Sequence, residues 1–143
     1  MEYILPEEEK VGVQMIVKTV GFYKEMPHGG KSTDSILDNI YKENSSMVDS
    51  ICCYLEKGIE FIVSPGIVND VINPERGTAG DTSIYTDGKW IWPGDLSYYV
   101  RNYKLKLPDA FIDTMKSNNW KIPIKISNLD FNEIVVDGTK MFE

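Results

Sequence analysis

The stretch from Ser83 to Tyr103 constrains the fold more than any other part of the chain. It reads Ser-Ile-Tyr-Thr-Asp-Gly-Lys-Trp-Ile-Trp-Pro-Gly-Asp-Leu-Ser-Tyr-Tyr-Val-Arg-Asn-Tyr. Asp87-Gly88 sits between two apolar, β-prone runs, and a two-residue turn of the type that closes hairpins needs the positive φ that Asp and Gly tolerate. Such a turn would set Thr86 opposite Lys89, Tyr85 opposite Trp90, Ile84 opposite Ile91 and Ser83 opposite Trp92. Because successive side chains alternate across a strand, Tyr85, Trp90 and Trp92 share one face of the ribbon, and Ile84 and Ile91 the other. Pro93-Gly94 stops the second strand. Asp95 can then accept from free backbone N–H groups as an N-cap, opening a helix whose Leu96, Tyr99, Val100 and Tyr103 lie on one side. The expected unit is hairpin, tight turn, amphipathic helix.

The rest of the chain supplies elements to pack against this unit. A length of 143 residues with 42% apolar side chains matches one domain, residues 1–143, with a core of its own. Leu5-Pro6-Glu7-Glu8-Glu9 has the Pro and acids of a helix start, and Val13, Ile16, Val17 and Val20 follow helical spacing, although the β-branched run leaves a strand open. Gly21 to Gly30 reads as a loop. Ser32 or Thr33 would cap a helix through Ile36, Leu37, Ile40 and Tyr41. Ser45 or Ser46 would cap a second helix through Met47, Val48, Ile51, Cys52 and Leu55, ended by Gly58.

Ile59 to Val63 reads as a strand, and the segment from Asn73-Pro74 to Gly80 as a long turn into the hairpin. Leu107-Pro108-Asp109 starts a helix with Phe111, Ile112 and Met115 on its apolar side. Trp120, Ile122, Ile124 and Ile126 alternate with polar residues and Pro123, as in an edge strand. The tail from Leu129 to Val136 is apolar but of ambiguous type. The fold class is therefore α+β, with N-terminal helices packed on a small, mainly antiparallel sheet that carries the hairpin–helix unit at 83–103.

Charge narrows the partners. Twenty-two acidic against fifteen basic residues give a formal charge of −7, which repels nucleic acid and anionic membrane and attracts basic partners, or serves solubility alone. No leader-like start and no run of the ~20 apolar residues needed to span a bilayer is present, so a cytoplasmic protein is expected. The two cysteines, Cys52 and Cys53, are neighbours. On a helix they diverge by about 100°, so buried reduced thiols are expected rather than a disulfide.

Patterns that would carry chemistry are weak. His28-Gly29-Gly30-Lys31-Ser32-Thr33 ends like a phosphate-binding loop, but that loop needs a glycine separated by four residues from the Gly-Lys pair, and Glu25 stands there. His28 is the only histidine and lies in a polar loop, where a surface role is the plain reading. One His and two adjacent Cys do not make a zinc site, and the acids lack a calcium-loop pattern, so neither metal nor cofactor is expected. Trp90, Trp92 and Tyr98 could form a stacking platform for a small ligand or carbohydrate; core packing is the competing reading. The residues give no support to an enzyme.

Thr86-Asp87-Gly88-Lys89-Trp90-Ile91-Trp92, then Asp95-Leu96-Ser97-Tyr98-Tyr99-Val100, Tyr103 and Leu107-Pro108 with Phe111, resemble a bacterial family of immunity proteins of polymorphic toxin and contact-dependent growth inhibition systems. Tyr54-Leu55-Glu56-Lys57-Gly58 and Asp70-Val71-Ile72-Asn73-Pro74 are similar to further elements of that family, so the likeness covers roughly Tyr54 to Phe111. The resemblance implies a protein that binds a cognate toxin domain, in many cases a basic nuclease, and blocks it. Asp87, Gly88, Trp90, Trp92, Asp95, Tyr98, Tyr99, Tyr103 and Phe111 would then be structural. Partner contacts are expected at Asp70, Glu75, Asp81, Asp87 and Asp95 around the hairpin, with Glu7, Glu8 and Glu9 as a second patch. For each the plain alternative is a solvated charge.

Overall fold

The run Met-Ile-Val-Lys-Thr forms strand β1, Met15–Thr19, where helical spacing had favoured a helix. Side chains branched at Cβ lose χ1 freedom in a helix and pack readily on a pleated surface. The sheet offers β1 two neighbours, so the strand wins. The computed structural model describes residues 15–28, 32–123, 134–136 and 139–140; the expected helix start at Pro6 with Glu7, Glu8 and Glu9, and the residues Gly29, Gly30, Lys31, Ile124 and Ile126, lie outside them.

The further strands among the described residues are β2 Ile59–Ile62, β3 Ile67–Asn69, β4 Thr78–Asp81, β5 Ile84–Thr86, β6 Trp90–Pro93, β7 Ile134–Val136 and β8 Thr139–Lys140. One sheet has the order β2-β5-β6-β1-β7-β8, and β3 and β4 form a separate ribbon. The expected α+β class holds. Antiparallel pairs predominate, but β1 runs parallel to both β6 and β7.

Among the described residues three α-helices pack with the sheet: α1 Ser45–Glu56, α2 Leu96–Tyr103 and α3 Asp109–Ser117. The cap of α1 is Asn44, whose side chain accepts from Ser46 N at 3.0 Å, one residue before the expected serines. Cys52 is buried but Cys53, a third of a turn away, is exposed, which corrects the expectation for the second thiol; both are free. Gly58 follows the helix because a Cβ there would lie 2.4 Å from Cζ2 of Trp92.

Two expected elements do not form among the described residues. The helix through Ile36 to Tyr41 is a single 3-10 turn, Ile36–Asp38, capped by Ser35. Beyond it the backbone is taken by the end of α2 and the segment after it: Tyr41 N donates to Tyr103 O at 2.6 Å and Lys106 N to Asn39 O at 2.9 Å. These bonds hold Tyr41 at φ 58, which ends any helix. The strand expected from Trp120 does not form over the described residues 120–123: Asn119 and Trp120 are left-handed, φ 55 and 60, and Trp120 N closes α3 on Met115 O at 2.9 Å.

The hairpin of β5 and β6 forms with a different register. Thr86 pairs with Ile91, Tyr85 with Trp92 and Ile84 with Pro93, so residues 87–90 make the loop instead of Asp87-Gly88 alone. Asp87 Oδ1 accepts from Lys89 N at 2.9 Å and from Trp90 N at 2.8 Å, diverting the Lys89 amide that a two-residue turn would have placed in the ladder. Gly88 supplies φ 98. Because the shift is two residues, Tyr85 and Trp92 still share a face.

Around Phe111 of α3 the core is aromatic. Trp90 lies 5.0 Å, Trp92 5.4 Å and Tyr54 6.2 Å from its ring by centroid. Trp92 Nε1 donates to Leu55 O at 3.2 Å, so its polar edge is not left unpaired. Trp92→Ala should lower unfolding stability by about 3–5 kcal/mol in a denaturant titration, through lost apolar contact and the cavity left between α1 and α3. Gly88→Val should also lower it, because a β-branched residue resists positive φ; an unchanged midpoint for either would contradict the packing described.

Candidate partner-binding surface

Three of the acids expected to meet a partner are inside the protein. Asp70, Asp87 and Asp95 are each 1% exposed, so they cannot form a contact surface. Asp87 spends one oxygen on the loop amides and the other on the Tyr54 hydroxyl, which in turn accepts from Asn118 Nδ2 at 3.0 Å. Burial, then the hydrogen bond and charge of Asp87, push the Tyr54 hydroxyl well above its ordinary pKa.

Asp70, just after β3, is satisfied by α2. Tyr98 and Tyr103 donate their hydroxyls to Oδ2 at 2.8 and 2.6 Å, while Ile72 N and Asn73 N donate to Oδ1 at 2.7 and 2.8 Å. Tyr99 completes the clamp by accepting from Val71 N at 2.9 Å. Burial alone would raise the Asp70 carboxyl, but the bonds from Tyr103, Asn73, Tyr98 and Ile72 outweigh it and hold the pKa below the usual carboxylate value. Burial and then Asp70 push the Tyr103 hydroxyl up to about 12. Arg76 covers the Tyr103 ring, its guanidinium carbon 4.9 Å from the centroid.

Asp95 stands at the N-cap position of α2, yet its side chain makes no capping bond. It turns instead to His28, whose Nε2 lies 3.3 Å from both carboxyl oxygens. His28, expected at the surface, is largely covered and meets Phe22 edge-on at 5.4 Å. A buried carboxylate next to the only imidazole of the chain explains both departures.

The aromatic residues do not form a stacking platform. Trp90 and Trp92 are 7% and 1% exposed, and the Tyr98 hydroxyl is committed to Asp70. Phe111 packs against both tryptophan rings and Tyr98 is half-buried against Tyr99 and Tyr103, which corrects the reading of these three as a platform for a small ligand or carbohydrate. The nine residues expected to be structural, Asp87, Gly88, Trp90, Trp92, Asp95, Tyr98, Tyr99, Tyr103 and Phe111, all lie in or against this packed unit.

Of the hairpin acids, Glu75 and Asp81 remain accessible. Glu75 is exposed in a 3-10 turn, Pro74–Arg76, between β3 and β4. Asp81, at the end of β4, opens on a crevice of about 190 Å³ whose other walls are Leu55 and Glu56 of α1, Tyr85, Trp92, Pro93, Gly94 and Ser97. Asp81 Oδ2 accepts from the Tyr85 hydroxyl at 2.9 Å and Oδ1 from Ser83 N at 3.0 Å. Glu60 of β2 is the cross-strand partner of Tyr85, so both side chains stand on one face of the sheet. Burial, the bond and charge of Asp81, and then the charge of Glu60 push the Tyr85 hydroxyl up. Glu56 accepts from Arg101 Nη2 at 3.2 Å.

Glu56, Glu60 and Tyr85 were not among the site residues expected from the sequence. One signal was present: Glu60 is the single charge in the apolar run Ile-Glu-Phe-Ile-Val, a residue with no place on a buried face. Among the described residues no three His, Cys, Asp or Glu side chains are grouped to hold a metal ion. Among them, too, no helix is long and apolar enough to cross a membrane.

No family model matches the chain, and no match to it was found among curated proteins or solved structures.

Two outcomes test the buried acids. A group whose folded pKa is depressed contributes stability that is present above its unfolded pKa, about 3.9 for Asp, and lost as pH falls through the folded value. Asp70→Asn should therefore unfold more easily than the wild type at pH 7, by on the order of 2–3 kcal/mol, with the gap narrowing below about pH 4 in denaturant titrations run across pH. His28→Ala should cost about 1–3 kcal/mol by leaving Asp95 buried without its partner; equal melting of mutant and wild type would show that the pair contributes nothing.

Proposed function

We propose that this protein is an immunity protein that binds a cognate bacterial toxin domain stoichiometrically in the cytoplasm and blocks its action. The observation that carries the reading is that the residues on which the sequence resemblance rests form one packed unit. Asp87, Trp90, Trp92, Tyr99, Tyr103 and Phe111 hold the hairpin, α2 and α3 together, with Tyr98 and Tyr103 clamping the loop at Asp70. A motif consumed by the scaffold leaves recognition to surface side chains, as a set of inhibitors with differing partners would need.

The formal charge of −7 supports a basic partner, of which nucleases are one class. An acidic inhibitor meets such a partner faster than diffusion of neutral bodies allows, and competes for the groove that receives the nucleic-acid backbone. Of the acids first considered, Glu75 and Asp81 are placed to take part.

The test is co-expression with the toxin-like product of the adjacent upstream gene. The two proteins should co-elute on size exclusion, and the cells should grow where the toxin alone stops them. A toxin-like neighbour that is neither bound nor neutralised would overturn the proposal.

A further inference from the structure

The crevice at the end of β4 has a shape and a lining that specify a ligand. It lies between the C-terminal turn of α1, the β5–β6 hairpin and the start of α2, and holds about 190 Å³, far more than a bare cation occupies. Its lining combines apolar side chains, Leu55, Trp92 and Pro93, with polar ones, Glu56, Asp81, Tyr85 and Ser97; none of the lining residues is basic. The Ser97 hydroxyl has no hydrogen-bond partner among the described residues.

Asp81 is fixed in this crevice rather than free to rotate. Tyr85 and Ser83 each donate one hydrogen bond to it, one to each oxygen, and Gly94 packs close beside it: a Cβ on Gly94 would fall 1.9 Å from Asp81 Oδ1. A carboxylate has about four acceptor sites, so acceptor capacity is left on both oxygens. Glu56 is held at the same wall by Arg101, which also reaches Asp49 at 3.4 Å. Glu60 adds a third negative charge beside Tyr85.

We propose that this crevice receives an arginine side chain of a protein partner, its guanidinium lying against Tyr85 and Pro93 and donating to Asp81 and the Ser97 hydroxyl. The guanidinium is planar, weakly hydrated and forked, so it suits a slot with an apolar wall and a fixed carboxylate, where the compact, strongly hydrated lysine ammonium gains less. The proposal deepens the reading of the protein as a toxin inhibitor and rests on it for the identity of the partner.

The crevice itself is tested without the toxin. The wild-type protein is titrated with N-acetyl-arginine amide at low salt and followed by amide chemical shifts, with N-acetyl-citrulline amide as the uncharged isostere. Saturable shifts at Asp81, Tyr85, Gly94 and Ser97 with the arginine probe alone are expected. Asp81→Asn should weaken them at least about fivefold, and Glu56→Gln, at a half-exposed position that leaves folding intact, should weaken them about twofold. Equal response to both probes, or shifts confined to other surfaces, would overturn the proposal. In the complex with the toxin, Asp81→Asn should raise Kd about tenfold or more; full affinity in a folded Asp81→Asn would overturn the arginine contact. A wild-type protein that binds the arginine probe but no toxin would refute the immunity reading and leave the crevice standing.

Discussion

A carboxylate that leaves water must find its hydrogen bonds elsewhere, and in this protein Asp70 and Asp87 find theirs in tyrosines drawn from the helices. Tyr54 of α1 reaches Asp87 in the hairpin loop; Tyr98 and Tyr103 of α2 reach Asp70 beyond β3. Each bond ties an element of regular structure to a loop that has little apolar surface of its own. Each loop is thereby anchored to a helix, and the hairpin register and the position of the β3–β4 ribbon follow from these anchors.

The aromatic core depends on the same arrangement. Phe111 meets Trp90, Trp92 and Tyr54 at 5.0 to 6.2 Å only because the loop at Asp87 sets β6 in its observed register and Gly58 lets the chain pass against Trp92. Aromatic pairs at such separations add directional stabilisation to the area they bury. Burial of so many rings and acids in the scaffold is also what leaves the crevice at Asp81 as a distinct feature: it is the place where a motif-proximal acid faces solvent with an apolar wall beside it.

Much of the architecture was legible in the residues. The hairpin–helix unit, α1, α3, β2 and the α+β class came from turn chemistry, capping patterns and periodicity, which act over a few residues. What was not legible lay where distant segments compete for the same backbone groups. Ile36 to Tyr41 has the spacing of a helix, but Tyr41 hydrogen-bonds to the end of α2 and Asn39 to the chain after it, and a 3-10 turn is what remains. Met15 to Thr19 has the spacing of a helix too, and becomes a strand because β6 and β7 lie on either side of it. The candidate site was harder to read than the fold, because a charge shows in the sequence whether it is solvated, as Glu75 is, or enclosed, as Asp70 is.

The sequence by itself determined the alternation of faces in the hairpin, the apolar sides of α2 and α3, and the negative charge of the whole, since each depends on residue identity and local spacing. A two-residue slip in register preserved the hairpin faces for the same reason: the strand period is two. Tertiary structure alone decided which acids are exposed, that Asp95 would leave its cap for His28, and that Asp81, Tyr85, Glu56 and Ser97 would share a crevice. Those outcomes turn on desolvation and on groups brought together from four separate segments, and neither quantity exists until the chain has folded.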